Sequence, residues 1–261
     1  MAKFVNGSTD YAAWRSSVSE NKMYLQRNAV INAAMTKASL TLADEIQLVQ
    51  AVSVSTLTGK LSGFYSISTS VLMNRFCQAR AKDPKSICSK CYAASGASRY
   101  TGLALNLETN YKILNGWLLS REAWATLPLP TTNGHFRIES HGDVASVICC
   151  RNYCRIIKSH PWINFGIWTK NYNLWAEAFR LEGKPDNCTF IVSSDKMNEK
   201  IDVSGKSCAK YVDHTFTVYD KQFITENNVQ INCGAKSCQS CINSGCRCYF
   251  KDNTDMAEQL K

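Results

Sequence analysis

Apolar positions along the chain follow two rhythms. Between residues 10 and 52 they recur at helical spacing: Tyr11, Trp14 and Val18, then Val30, Ile31, Ala34 and Met35, then Leu42, Ile46, Leu48 and Val49. A turn at Gly59–Gly63 ends this section. From residue 63 short β-branched or aromatic runs take over, each ending in a polar cluster. Phe64-Tyr65-Ser66-Ile67 leads into Ser68-Thr69-Ser70, and Phe136-Arg137-Ile138 into Glu139-Ser140-His141-Gly142-Asp143. Phe165-Gly166-Ile167-Trp168 leads into Thr169-Lys170-Asn171, and Thr189-Phe190-Ile191-Val192 into Ser193-Ser194-Asp195. Phe216-Thr217-Val218-Tyr219 leads into Asp220-Lys221, and Val229-Gln230-Ile231-Asn232 into Cys233-Gly234.

Helical patterns over 102–124, 144–158 and 172–182 separate several of these runs, the last closed by Gly183 and Pro185. Strands alternating with helices predict βαβ units and a parallel sheet. The expected fold is α/β, a six-stranded partial, TIM-like barrel. Residues 1–58 read as an N-terminal helical extension, 59–250 as the barrel-like domain with cysteine-rich metal loops, and 251–261 as a tail. Residues 220–228 are a short link for a parallel crossover, so the sixth run is short or paired differently. The polar clusters all fall at strand C-termini, the face where parallel α/β folds bind ligands.

At 261 residues, with 45% hydrophobic and 20% charged, the composition is that of a globular protein and excludes a disordered chain. No stretch approaches the roughly 18 apolar residues of a membrane span. MAKFVNGSTDYAAW has no apolar core of signal-peptide length, so the expectation is a reducing compartment, the cytoplasm or a host cell's cytoplasm. The net charge of +9 suits a small anionic substrate or nucleic acid, although no basic run interleaved with aromatics marks a nucleic-acid surface.

The 13 cysteines change the picture more than the charge does. In a reducing compartment, clustered cysteines hold metal more often than they form disulfides. One group is Cys77, Cys88 and Cys91, spaced C-x10-C-x2-C. The other is Cys233, Cys238, Cys241, Cys246 and Cys248, a C-x4-C-x2-C followed by C-x-C. Zinc ribbons pair two matched knuckles, whereas crowded, uneven thiolates suit an iron–sulfur cluster, 4Fe–4S being expected. Zinc is the alternative metal. Cys149, Cys150, Cys154 and Cys188 sit in apolar patterns and read as core, and Cys208 is left open. If the barrel closes, its first and last strands are neighbours and the two cysteine groups converge.

The order SISTS, FC, SICSKCYA, RIESHGDV, WTKN, VYDK and a final CGxxxCxxC…CY, over about residues 60–250, resembles a family of phage and mobile-element proteins called gene product eighty-eight. The resemblance implies a viral origin and brings no activity with it. Cys246-Arg-Cys248 departs from the simpler C-x2-C-x2-C-Y ending of that family, which leaves the ligand between these two open. A much weaker similarity links the three cysteines after the first barrel strand to radical-SAM enzymes, whose usual spacing is C-x3-C-x2-C.

Among the polar clusters, Glu139-Ser140-His141-Gly142-Asp143 is densest in chemistry. Glu139, His141 and Asp143 offer an acid and a base, and Lys170 a cation for a phosphate or carboxylate. Gly142 allows a sharp turn toward a ligand, and Asp143 is equally placed to cap the next helix. Ser140, Thr169, Asn171 and Lys221 are the candidate binding residues. No dinucleotide fingerprint, Walker loop, nucleophile elbow or H-E-x-x-H occurs. The expected function is an iron–sulfur enzyme using an open iron as Lewis acid, for hydrolysis or elimination on a small anionic, thioester-like substrate. The alternatives are a radical-SAM-like enzyme and a non-catalytic, metal-stapled module binding host protein or nucleic acid.

Overall fold

The computed structural model describes residues 15–16, 18–132, 134–245 and 247–260; Tyr11, Trp14 and Cys246 lie outside them. Ahead of the sheet lie α1 (Lys22–Met35) and α2 (Leu42–Gln50). The helical reading of 10–52 is cut here by two N-caps. Asn21 accepts from the Tyr24 amide, and Thr41 forms a capping box with Asp44. Ile31, Leu48 and Val49 are buried in the same core as the sheet, so this segment packs into the main body instead of standing beside it.

Seven strands form one sheet in chain order: β1 (Ser55–Thr56), β2 (Tyr65–Ile67), β3 (His135–Ile138), β4 (Asn164–Thr169), β5 (Cys188–Ser193), β6 (His214–Tyr219) and β7 (Thr254–Gln259). All neighbours from β2 to β7 pair parallel, while β1 pairs antiparallel with β2. The sheet is open, so the condition under which the first and last parallel strands would be neighbours is not met. The physical reason is β1, which takes the free edge of β2. A side-chain link does join the ends: Lys60, just ahead of β2, pairs with Glu258 of β7 at 2.5 Å and donates to the Cys233 carbonyl at 3.0 Å.

The sixth parallel strand is Thr254–Gln259, not Val229–Asn232, and lies where a tail was expected. After β6 the chain forms α9 (Lys221–Asn227) and turns at Asn228, whose φ is +50°. That leaves too little chain for Val229–Asn232 to cross over and pair in parallel. This segment instead runs beside β7. The Asn232 amide donates to the Asp255 carbonyl and accepts from the Ala257 amide, both at 2.8 Å.

Between β2 and β3 lie α3 (Arg75–Lys82), α4 (Tyr92–Arg99), α5 (Thr101–Gly116) and α6 (Arg121–Trp124). The predicted helix 102–124 is thus two helices. Asn152 of α7 (Val147–Ser159) stabilises the break by accepting from the Leu119 amide and the Trp124 indole and donating to the Leu114 and Trp117 carbonyls. α8 (Tyr172–Glu182) ends at Gly183, as its sequence predicts.

Register divides the strand residues between two faces. Phe136, Ile138, Phe165, Ile167, Phe190 and Val192 face the helices and join Tyr153, Trp175 and Phe179 in the main core. Arg137, Gly166, Trp168, Ile191, Phe216 and Met256 occupy the opposite face. There the segment carrying α10 (Cys238–Asn243) covers part of the sheet, with Cys248 and Tyr249 packed among Trp168, Ile191, Phe216 and Met256.

Candidate active site at the C-terminal rim

The loop after β2 arches across the strand ends. Asn74 caps α3 and ties it to the next loop by donating to the Asp143 carbonyl at 2.7 Å. At its far side the loop docks beyond β5. The Ile87 amide donates to the Asp195 carbonyl at 2.8 Å, and Arg80 pairs with the Asp195 carboxylate at 2.6 Å. The Ser194-Asp195 cluster therefore anchors this arch.

The three cysteines ride on it. Cys77 lies in α3, Cys88 in a 3-10 turn, and Cys91 at the N-cap of α4 with no side-chain capping bond. They sit in one electrostatic neighbourhood. Burial pushes the Cys77 thiol well up, and Asp143, Cys91, Glu139 and Cys88 add to the shift. Burial also raises Cys88, opposed by the Lys170 ammonium and a hydrogen bond involving Ser86.

The carboxylates beneath the arch are already occupied. Glu139 is 4% exposed with φ +52°. It accepts from the Thr69 amide (3.0 Å), the Thr69 hydroxyl (2.7 Å) and the Tyr153 hydroxyl (2.8 Å). Burial outweighs these bonds and pushes its pKa up to about 7. Asp143 accepts from the Thr169 hydroxyl (2.6 Å) and from the amides of Lys170 (2.7 Å), Asn171 (3.2 Å) and Val144 (2.8 Å). It ties the β3 loop to the end of β4; the cap of α7 is Ser146. Thr169 and the Asn171 amide are engaged by this clasp, and the Asn171 side chain donates to the Val144 carbonyl. Gly142, at φ +129°, admits Val71 instead of a ligand, since a Cβ there would lie 2.7 Å from the Val71 methyl.

That leaves His141, Ser140 and Lys170 as the groups best placed for chemistry. A chain of hydroxyls runs from Ser66 to Ser68 (3.0 Å), to Ser140 (3.2 Å), to the His141 Nδ1 (3.1 Å). Burial lowers the His141 pKa, which favours the neutral imidazole that a base needs. Tyr92 packs edge-on against this ring and donates to the Ser140 carbonyl. Lys221 is exposed at the start of α9, whose cap is Asp220.

The second cysteine group makes its own site. Cys233, Cys241 and Cys248 line a cavity of about 370 Å³ with Lys236, Ser240 and Met256. It packs in a different apolar cluster from Cys77 and Cys91. Cys149, Cys150, Cys154, Cys188 and Cys208 are all buried in the main core. Among the described residues no three His, Cys, Asp or Glu side chains stand close enough together to hold a metal ion as placed. The donor chemistry of each group is nonetheless that of a soft metal site, several thiols beside a lysine ammonium.

Sequence reasoning missed Tyr153, Thr69 and Tyr92, which shape the rim from a helix interior, a loop and a helix's first residue. Thr69 carried a signal in its polar cluster; Tyr153 carried none beyond its helical apolar spacing.

No curated protein and no solved structure matches the chain. Among the described residues no helix is long and apolar enough to cross a membrane. A family model described as Gene product 88 matches residues 25–253, from α1 to the start of the last strand, and so takes in both cysteine groups and the whole rim. The chain belongs to the Gene product 88 family.

Proposed function

We propose that the rim is the active site of an iron–sulfur enzyme acting by hydrolysis or elimination on a small anionic substrate. The observation that carries this is the arch. It gathers Cys77, Cys88 and Cys91 into mutual electrostatic range, with Lys170 acting on Cys88 and Tyr92, next to Cys91, packed on the Ser140–His141 pair. These three thiols would hold the cluster, and a cluster with three thiolates supplies an open iron as a Lewis acid. His141 takes or returns the proton, and Ser140 orients its ring through Nδ1. Lys170 offers charge to the substrate. Glu139 and Asp143 hold the rim in shape, because their oxygens are spent on Thr69, Tyr153, Thr169 and backbone amides. The second cysteine group is read as a separate, structural metal site at the sheet's other face.

Anaerobic reconstitution with iron and sulfide tests this reading. Cys88→Ser and Cys91→Ser should lose the rim cluster's absorbance, and His141→Asn should keep it while losing turnover. A colourless preparation holding stoichiometric zinc and no sulfide rejects the cluster.

A second reading, radical chemistry on S-adenosylmethionine, is favoured by one feature. The three-cysteine loop follows the first of six parallel strands laid down in chain order, as in a partial barrel. Reductive cleavage of S-adenosylmethionine by the reconstituted protein separates the two.

A further inference from the structure

One cation on the sheet face that carries Trp168 and Met256 is left over by everything above. Arg137 lies at the middle of β3, half-buried, its guanidinium carbon 3.3 Å from the centre of the Trp168 ring. Its Nε is buried and has no hydrogen-bond partner among the described residues. A charged donor left in that state costs more than the roughly 1–3 kcal/mol of an ordinary unsatisfied group. The neighbouring carboxylates do not answer it. Glu139, two residues on, is held by Thr69 and Tyr153, and Glu258 is paired with Lys60.

The platform beneath the guanidinium is built by a specific absence. Gly166 faces Arg137 across the ladder, and a Cβ there would lie 2.5 Å from the Trp168 ring and 3.0 Å from the Tyr249 ring. Without that Cβ the indole folds back over the sheet, braced edge-on by Tyr249, and Arg137 stacks on it. Stacking occupies a face of the guanidinium and leaves its edges for in-plane hydrogen bonds, the geometry that matches a planar anion. Tyr92, which shapes the rim beside His141, is close enough to feel the Arg137 charge. The stacked cation therefore lies within electrostatic range of a residue that packs on His141.

We infer that Arg137, stacked on Trp168, is the binding site for a carboxylate group of the substrate. The inference rests on the proposed function only in taking that carboxylate as the substrate's. A single stacked cation matches one negative charge. A planar carboxylate meets two of its N–H groups in one plane, whereas a phosphate dianion brings a second charge that one guanidinium does not match.

The test is ligand-observed saturation-transfer NMR on the full-length, cluster-free protein, with propionate, propionamide and inorganic phosphate as separate probes. Propionate should bind saturably and propionamide should not. Arg137→Met should weaken propionate binding about 10- to 100-fold, the scale of a charge-assisted hydrogen-bond pair. Arg137→Lys, which keeps the charge but not the planar fork, should fall between, and it carries the test if the Met variant fails to fold. Propionate binding unchanged in both variants, or absent in the wild type, overturns the site. Arg137-dependent binding of phosphate tighter than that of propionate overturns the carboxylate assignment. Iron and sulfide contents of the reconstituted variants are a separate readout, so loss of the cluster reading leaves the binding result standing, and the reverse.

Discussion

Replacing Glu139 by glutamine should make the protein more stable at neutral and alkaline pH. The carboxyl is buried, and its pKa rises from the usual 4.5 to about 7 because burial disfavours the ion more than three hydrogen bonds favour it. Between those two values the unfolded chain gives up this proton and the folded chain keeps it. Stability from this group is therefore full below about pH 4.5, falls as pH rises toward 7, and is level above that. At 1.36 kcal/mol per unit the loss is roughly 3 kcal/mol. Glutamine carries no such charge, and the site can accept it. Its carbonyl oxygen can take the Thr69 amide bond, and its amide can donate to the Thr69 and Tyr153 hydroxyls, which rotate to accept. The assay is urea unfolding of wild type and Glu139→Gln from pH 5 to pH 8.5. Near pH 5 the two should agree within about 1 kcal/mol, and at pH 8 the variant should be ahead by roughly 3 kcal/mol. Titrations elsewhere cancel in this difference. Parallel curves across the range, or a variant weaker at every pH, would refute the reasoning and return Glu139 to a role that needs its charge.

Three further outcomes follow from particular contacts. Gly142→Ala places a Cβ 2.7 Å from the Val71 methyl at a φ of +129°, and should cost about 1–3 kcal/mol in thermal or urea unfolding. Asn152→Ala leaves two donors and two acceptors at the α5–α6 break without their partner and should cost at least about 3 kcal/mol; an effect under about 1 kcal/mol would mean water replaces the amide. Lys170→Met removes the cation that lowers the Cys88 thiol pKa, so iodoacetamide labelling of Cys88 at pH 8, followed by peptide mass spectrometry, should slow.

Local pattern determined much of this protein. The β-branched and aromatic runs became β2 to β6 within a residue or two, because such side chains pack well on a pleated, at least half-buried surface, and in β5 every position is buried. The helix at 172–182 and its glycine stop were legible for the same kind of local reason. Cys149, Cys150, Cys154 and Cys188 declared themselves as core by the company they keep. What the sequence left undecided depended on distant partners. Thr254–Gln259 is acidic and poor in β-formers, and it is a strand only because β6 offers it an edge. Closure of the sheet turned on two residues, Ser55 and Thr56, that take the edge of β2. The hydrogen-bond partners of the rim's carboxylates come from other segments of the chain: Thr69 and Tyr153 for Glu139, Thr169 and Lys170 for Asp143. The chemistry of a carboxylate or a guanidinium is set by what surrounds it, and only tertiary packing brings those surroundings together. Arg137 shows this most plainly, since its stacked setting on β3 comes from a glycine and a tryptophan of β4 and from a tyrosine that follows α10.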